Sequence, residues 1–265
     1  MDIRTLCQGI AMPEEMVQKV FGFAADFDFS AVEENLNRMM ESTTAADACA
    51  RLQVQLGDDP EGVAMLSCQL YCACQICRRY REMNIPDSVF FDTMGCYTRF
   101  VRECCVYNGS CQFDRGWWTW RQISMRLFRL GELEFEQKPN GTVAIHIPSD
   151  ARFTPALVEK SIAMAKSFIP LVAPQYANAD FTCRSWLLSP YLAQLLGDSS
   201  NILSFRNRFD IREVEEDDYS FIPWLFQCVP ETPVSAYPER TTLQRKAKEY
   251  ILSGGKIGIA FGVLK

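Results

Sequence analysis

The chain has 265 residues, with 27 Lys and Arg against 33 Asp and Glu, so its net charge is -6. At about 150 residues per domain this makes one large domain or two modest ones. The acidic balance argues against a general nucleic-acid binder, and an apolar content of 48% excludes disorder as the main state and fits a globular protein with a core. The longest nearly apolar stretch, Ile257 to Leu264, falls far short of the ~20 residues of a spanning helix. The first 16 residues lack a basic region followed by an apolar run. No membrane or nucleic-acid partner is expected, and a cytoplasmic location is.

The first ~110 residues read as helices. Pro13 opens PEEMVQKVFGFAADF, and proline suits a first helical turn because its missing N–H is not needed there. Ser30 caps SAVEENLNRMMES, whose apolar stripe is Val32, Leu36, Met39 and Met40. TTAADACARLQVQLG stops at Gly57. A long helix runs from Pro60 to about Met83, and Asn84, Ile85 and Pro86 break it. PDSVFFDTMGCYTRFVRECCVYN follows and ends in the turn Asn108, Gly109, Ser110. A helical domain over 1–112 and a second domain over 113–265 are expected.

The second half changes character. GWWTWRQISMRLFRLG reads as one helix ending at Gly131. ELEFEQ and TVAIHIP, on either side of Pro139, Asn140 and Gly141, read as a strand hairpin with Leu133 and Phe135 on one face. TPALVEKSIAMAKSFI is a helix closed by Pro170. FTCRSWLL is a strand and YLAQLLG a short helix. NILSFRNRFDIREVE and YSFIPWLFQ read as further strands. Thr241 or Thr242 caps TLQRKAKEYILSGG, and IGIAFGVL ends the chain as a strand. The fold class is α+β, a helical domain followed by a mixed sheet domain.

Twelve cysteines invite a metal reading. Cys68, Cys72, Cys74 and Cys77 fall on one helix, where about 100° per residue puts the first two and the last two on opposite faces. One unbroken helix cannot close four such thiolates on one ion, so they read as small buried apolar groups, and no metal is expected. The pair Cys104 and Cys105, with Cys111 nearby, reads the same way. The chain holds no GxSxG, HExxH, P-loop or GxGxxG pattern. With one histidine, His146, a multi-histidine metal site is impossible.

His146 stands in AIHIPSD, near a strand end and ahead of a helix. Free backbone N–H groups often meet ligands at such places, and imidazole exchanges its proton near neutral pH. Ser149 and Asp150 could orient a ligand. The same residues also read as a core histidine followed by plain turn chemistry. Arg121, Met125 and Arg129, spaced by four, line one helix face that suits phosphate or solvent alike. Arg206 and Arg208 in SFRNRF lie on one side of a strand, as an anion clamp or an ordinary exposed face. Trp117, Trp118 and Trp120 read as an anchor, although a tryptophan can also line an acyl or pantetheine tunnel.

FDRGWWTWRQISMRLFRLGELEFE, VAIHIPSDARFTPALVEKSI, SWLLSPYLAQLLGDSSNILSFRNRFDI and RTTLQRKAKEYILSGG together resemble a family of bacterial proteins. Its members join a helical N-acyltransferase N-terminal domain to a GNAT-like C-terminal domain. The resemblance implies an acyltransferase that moves an acyl group from acyl-CoA to an amine by direct attack, with acyl-CoA as co-substrate. It implies His146 as the base, with Glu134 as runner-up. It further implies Ser149, Asp150 and Trp186 at the substrate, and Arg152, Arg206 and Arg208 at the coenzyme A phosphates. The chain departs from the GNAT pattern in one respect: PSDARFTP, ahead of the helix, has no glycine. A GNAT-like binding or scaffolding protein without coenzyme A is therefore the alternative.

Overall fold

The computed structural model describes residues 1–265, the side chains of Tyr107 and Asn108 excepted. It divides into two compact units, 1–130 and 131–265.

The first unit contains α1 (Ile3–Gly9), α2 (Glu14–Asp26), α3 (Glu33–Met39), α4 (Ala45–Leu56), α5 (Val63–Glu82), α6 (Asp87–Asn108), α7 (Gly116–Ile123) and β1 (Leu127–Leu130). Helix α5 is its axis and packs against α1 to α4, α6 and α7. A helix enclosed over most of its circumference needs small or apolar side chains there, and α5 leaves only a stripe through Gln75, Arg78 and Glu82 to solvent. Leu66, Cys68, Leu70, Cys72, Ala73 and Ile76 are accordingly fully buried, and Cys74 and Cys77 nearly so. The two cysteine faces of α5 both meet neighbouring helices. Cys72 Sγ donates to Leu36 O at 3.6 Å and Cys49 Sγ to Gly116 O at 3.3 Å. Burial pushes the Cys68 thiol up to about 12, which keeps it protonated and a poor metal ligand. Among the described residues no group of three or more His, Cys, Asp or Glu is arranged to hold a metal ion.

The second unit contains β2 (Leu133–Gln137), β3 (Val143–His146), α8 (Pro155–Val172), β4 (Phe181–Ser185), α9 (Pro190–Ala193), α10 (Asn201–Arg206), β5 (Phe209–Glu215), α11 (Ile222–Phe226), α12 (Thr242–Leu252) and β6 (Ile259–Leu264). Its strands run in the order β2-β3-β4-β6-β5. The hairpin β2/β3 is antiparallel, with Glu134 opposite His146 and Phe135 opposite Ile145. Strand β4 then lies parallel to β3, and a parallel neighbour requires a crossover, here α8. β6 is antiparallel to both β4 and β5. The second unit is the expected mixed α+β domain.

Several elements differ from the sequence expectation, each for a local reason. The tryptophan-rich helix ends at Ile123, because Met125 turns left-handed (φ 56°) and Arg126 N–H closes back on Arg121 O at 3.0 Å. Arg129 therefore belongs to β1 and shares no helix face with Arg121. NILSFR is the helix α10, capped by the Ser200 hydroxyl accepting from Ile202 N–H. Arg206 ends that helix, so it does not stand beside Arg208 on a strand. IPWLF is the helix α11, with Pro223 in its first turn and Ile222, Leu225 and Phe226 buried. Pro170 lies inside α8, where it removes one backbone bond close to the helix end. Asp28, rather than Ser30, supplies the cap of a short 3-10 turn ahead of α3. Helix α1, capped by Asp2, had gone unread.

Two positions in the second unit test this account. Thr241 accepts from Gln244 N–H at 3.1 Å while the Gln244 side chain takes the Thr241 N–H, also at 3.1 Å, a reciprocal cap on α12. Thr241→Ala should cost about 1 kcal/mol, read as a small drop in chemical-denaturation midpoint. Gly258 has φ 60° and lies so close to β5 that an added Cβ would stand 2.2 Å from Glu215 O. Gly258→Ala should cost more, about 2 kcal/mol or above; equal midpoints for the two variants would contradict the close approach.

Candidate functional site

The second unit places several of its candidate residues where two parallel strands part. β3 and β4 pair only at Val143 with Phe181 and Ala144 with Thr182. Both strands continue beyond that point. Ile145 and His146 stay paired with β2, and Cys183, Arg184 and Ser185 stay paired with β6. The two strands thus follow different neighbours and open a wedge at their carboxyl ends. The facing edges of the wedge lie outside the β3/β4 ladder, and ligands commonly bind at the carboxyl ends of such strands.

His146 is the last residue of β3, at the rim of the wedge, and its side chain is 28% exposed. Direct cross-strand partners share a sheet face, and so do residues two apart on one strand. His146, Glu134 and Glu136 therefore lie on one face. Leu133, Phe135, Val143 and Ile145, all but fully buried, lie on the other. His146 Nε2 is 2.9 Å from Glu136 Oε2, and Glu136 Oε1 is 3.3 Å from Lys138 Nζ. The Glu136 side chain is only 1% exposed. An ionised carboxylate only accepts, so with Glu136 ionised the ring would donate from Nε2. Glu134 is buried directly opposite His146 in the ladder. Glu136 was missed in the sequence. Its signal was present, in the Glu132, Glu134, Glu136 alternation of one strand face.

After β3 the chain makes a turn, with Ala151 N–H donating to Pro148 O at 3.1 Å, and Ser149 and Asp150 sit exposed on it. Thr154 caps α8 by accepting from Leu157 N–H. Arg152, just ahead of that cap, is gripped by Glu132. Its backbone N–H donates to Oε2 at 2.8 Å, and Nε and Nη2 reach Oε1 at 2.9 and 2.7 Å. Arg208 comes to the same helix end from the other side, donating to Pro155 O at 3.3 Å and pairing with Glu159. Arg206 is apart from both guanidinium groups in its bonding, with Nε on Leu188 O at 3.1 Å. Two of the three expected phosphate arginines thus meet at the first turn of α8, each already matched by a carboxylate.

Trp186 follows β4 directly and is half-buried. With Ile147 and Phe153 from the segment after β3, it packs on an apolar cluster of Leu187, Leu192, Phe221, Leu225 and Phe226. The wedge therefore has a polar rim on the Glu136 side and an apolar wall beyond the strand ends.

No curated protein matches the sequence. Among solved structures, the chain is similar to an acyltransferase in complex with decanoyl-CoA and teicoplanin, at 21% identity over 99% of this chain and 87% of that one, with a TM-score of 0.80. It is similar, at 20% identity and the same coverage, to an acyltransferase in complex with CoA and 10C-Teicoplanin (TM-score 0.80) and to an acyltransferase mutant in complex with octanoyl-CoA (TM-score 0.81). At such identity the likeness is one of fold. Residues 1–125 match the N-acyltransferase N-terminal domain and residues 127–264 the GNAT-like C-terminal domain. The chain belongs to the family that joins these two domains.

Proposed function

We propose that the protein transfers an acyl group from an acyl-CoA thioester to an amine acceptor. The observation that carries this reading is the wedge between β3 and β4, with the imidazole of His146 at its rim and a buried carboxylate behind it. The family and the acyl-CoA complexes of the similar structures support it. The thioester supplies an activated carbonyl carbon. The strand edges beyond the β3/β4 ladder would align the donor's amide-bearing arm by backbone hydrogen bonds. Arg152 and Arg208 would meet its phosphates at the first turn of α8, whose backbone dipole also favours an anion. The Arg208–Glu159 pair lies toward the surface, and exposed ion pairs contribute little, so exchanging a carboxylate for a phosphate costs little there. Ile147, Phe153 and Trp186 would border the acyl chain.

His146 removes the proton as the amine nitrogen bonds to the carbonyl carbon. The carbon–sulfur bond then breaks, and the departing thiolate takes up the proton from the His146 imidazolium and leaves as the thiol. Glu136 holds the ring in one orientation and stabilises the imidazolium that forms, a positioning role. Ser149 and Asp150, on the exposed turn beside the rim, would contact the acceptor, and Glu134 is the runner-up base.

Two measurements test the reading. Calorimetry should detect saturable binding of an acyl-CoA, weakened by Arg152→Ala or Arg208→Ala and by added salt. Absence of binding to any acyl-CoA ends the proposal. His146→Ala should lower the transfer rate by about 10²–10⁴-fold with donor binding retained. Glu136→Gln should lower it less and shift the pH–rate profile. Absence of acyl-CoA binding favours the alternative, a binding protein without coenzyme A, which the glycine-free turn and the Glu132–Arg152 pair suggest. An undiminished His146→Ala rate assigns the base elsewhere.

A further inference from the structure

The carboxyl end of α6 and the segment leading to α7 bring two thiols together, in the first unit and independently of acyl transfer. Cys105 Sγ and Cys111 Sγ are 2.9 Å apart. Helix α6 ends at Gly109, whose left-handed backbone (φ 70°) turns the chain, and whose N–H donates to Cys105 O at 3.1 Å. The returning segment is held from outside. Lys19 Nζ donates to Cys111 O at 3.0 Å, and Phe113 N–H donates to Glu61 O at 2.9 Å. Lys19 is itself held between Glu15, at 3.3 Å, and Glu61, at 3.0 Å. The approach of the two sulfurs is thus fixed by backbone pinned on both sides. It is closer than a relaxed sulfur–sulfur contact and longer than the bond of about 2.05 Å.

The two thiols are not equivalent. Cys105 is half-buried, whereas Cys111 is buried. The Cys111 thiol is pushed up to about 12, first by its hydrogen bond to Cys105 and then by burial. Cys111 therefore holds its proton more firmly than a free thiol does. The other buried thiols, such as Cys68, Cys72 and Cys183, sit inside helix or sheet packing that keeps reagents out.

We propose that Cys105 and Cys111 form an oxidisable dithiol site that a small hydroperoxide closes to a disulfide. The Cys105 sulfur attacks a peroxide oxygen, the O–O bond breaks, and with hydrogen peroxide the leaving oxygen departs as water. Cys105 is then a sulfenic acid. The Cys111 sulfur attacks it, the S–S bond forms, and a second water leaves. Two thiols give up two protons and two electrons, and the peroxide is reduced to two waters. The bond staples the end of α6 to the entrance of α7, and a thiol reductant reopens it.

The test uses the full reduced chain, treated with a small excess of hydrogen peroxide, then alkylated, digested and mapped by mass spectrometry. The Cys105 and Cys111 peptides should appear linked and lighter by two hydrogens, about tenfold faster than any other cysteine is lost. Dithiothreitol should restore both thiols. Cys111→Ser should accumulate a sulfenic acid at Cys105 that dimedone traps. Cys105→Ser should leave Cys111 open to alkylation. Linkage through other cysteines first, sulfinic acid on Cys105 without linkage, or loss of the Cys111 thiol in Cys105→Ser at the wild-type rate would overturn the proposal. The wild-type map decides the matter even where a serine variant does not fold.

Discussion

The candidate chemistry depends on the parting of β3 from β4 after two paired residues. A parallel ladder that continued to His146 and Ser185 would bury the edges a ligand needs. Each strand instead remains with its antiparallel partner, β2 on one side and β6 on the other. Because antiparallel pairing is somewhat stronger per residue, the sheet divides along its weaker seam. The hairpin carries His146, and the β4/β6 pair forms the opposite lip. The site is therefore made by backbone pairing preferences and then furnished by side chains.

Strand β2 furnishes it at a cost. Glu132, Glu134 and Glu136 are all buried, and an isolated buried carboxylate is strongly disfavoured. Glu132 is matched by the fork and backbone of Arg152, and Glu136 by Lys138 and His146. The charges that orient the imidazole and the segment ahead of α8 thus come from strand β2 and from the turn residue just before it. A change in register by one residue would turn Glu134 and Glu136 over and put Leu133 and Phe135 in their place. Such a strand has one acceptable pairing, which fixes the position of His146 in space.

Much of this was legible in the sequence where one local signal ruled. Gly57, Pro86 and Gly109 bound long helices, and the turn 139–141 joined two alternating strands. Reading failed where a cap or a proline competed with an apolar run. SFRNRF looked like a strand because its alternation was visible and the Ser200 cap was overlooked. YSFIPWLF looked β-rich because its aromatics hid the spacing of Ile222, Leu225 and Phe226. His146 could be named because the chain has no other histidine. Glu136 could not, because its importance comes from its contact with that ring and not from any motif. The resemblance grouped the three arginines at one set of phosphates; tertiary structure groups Arg152 with Arg208 through α8 and leaves Arg206 with Leu188.

The enclosure of α5 also bears on how the chain is made. Its walls come from helices on both sides in sequence, α1 to α4 before it and α6 and α7 after it. Ten of the twelve cysteines precede Gln112, so they emerge during synthesis before the last wall exists to cover them. Until α7 docks, each can meet the wrong partner. The first unit is therefore best produced where nascent thiols stay reduced, and misoxidised chains should be its characteristic by-product.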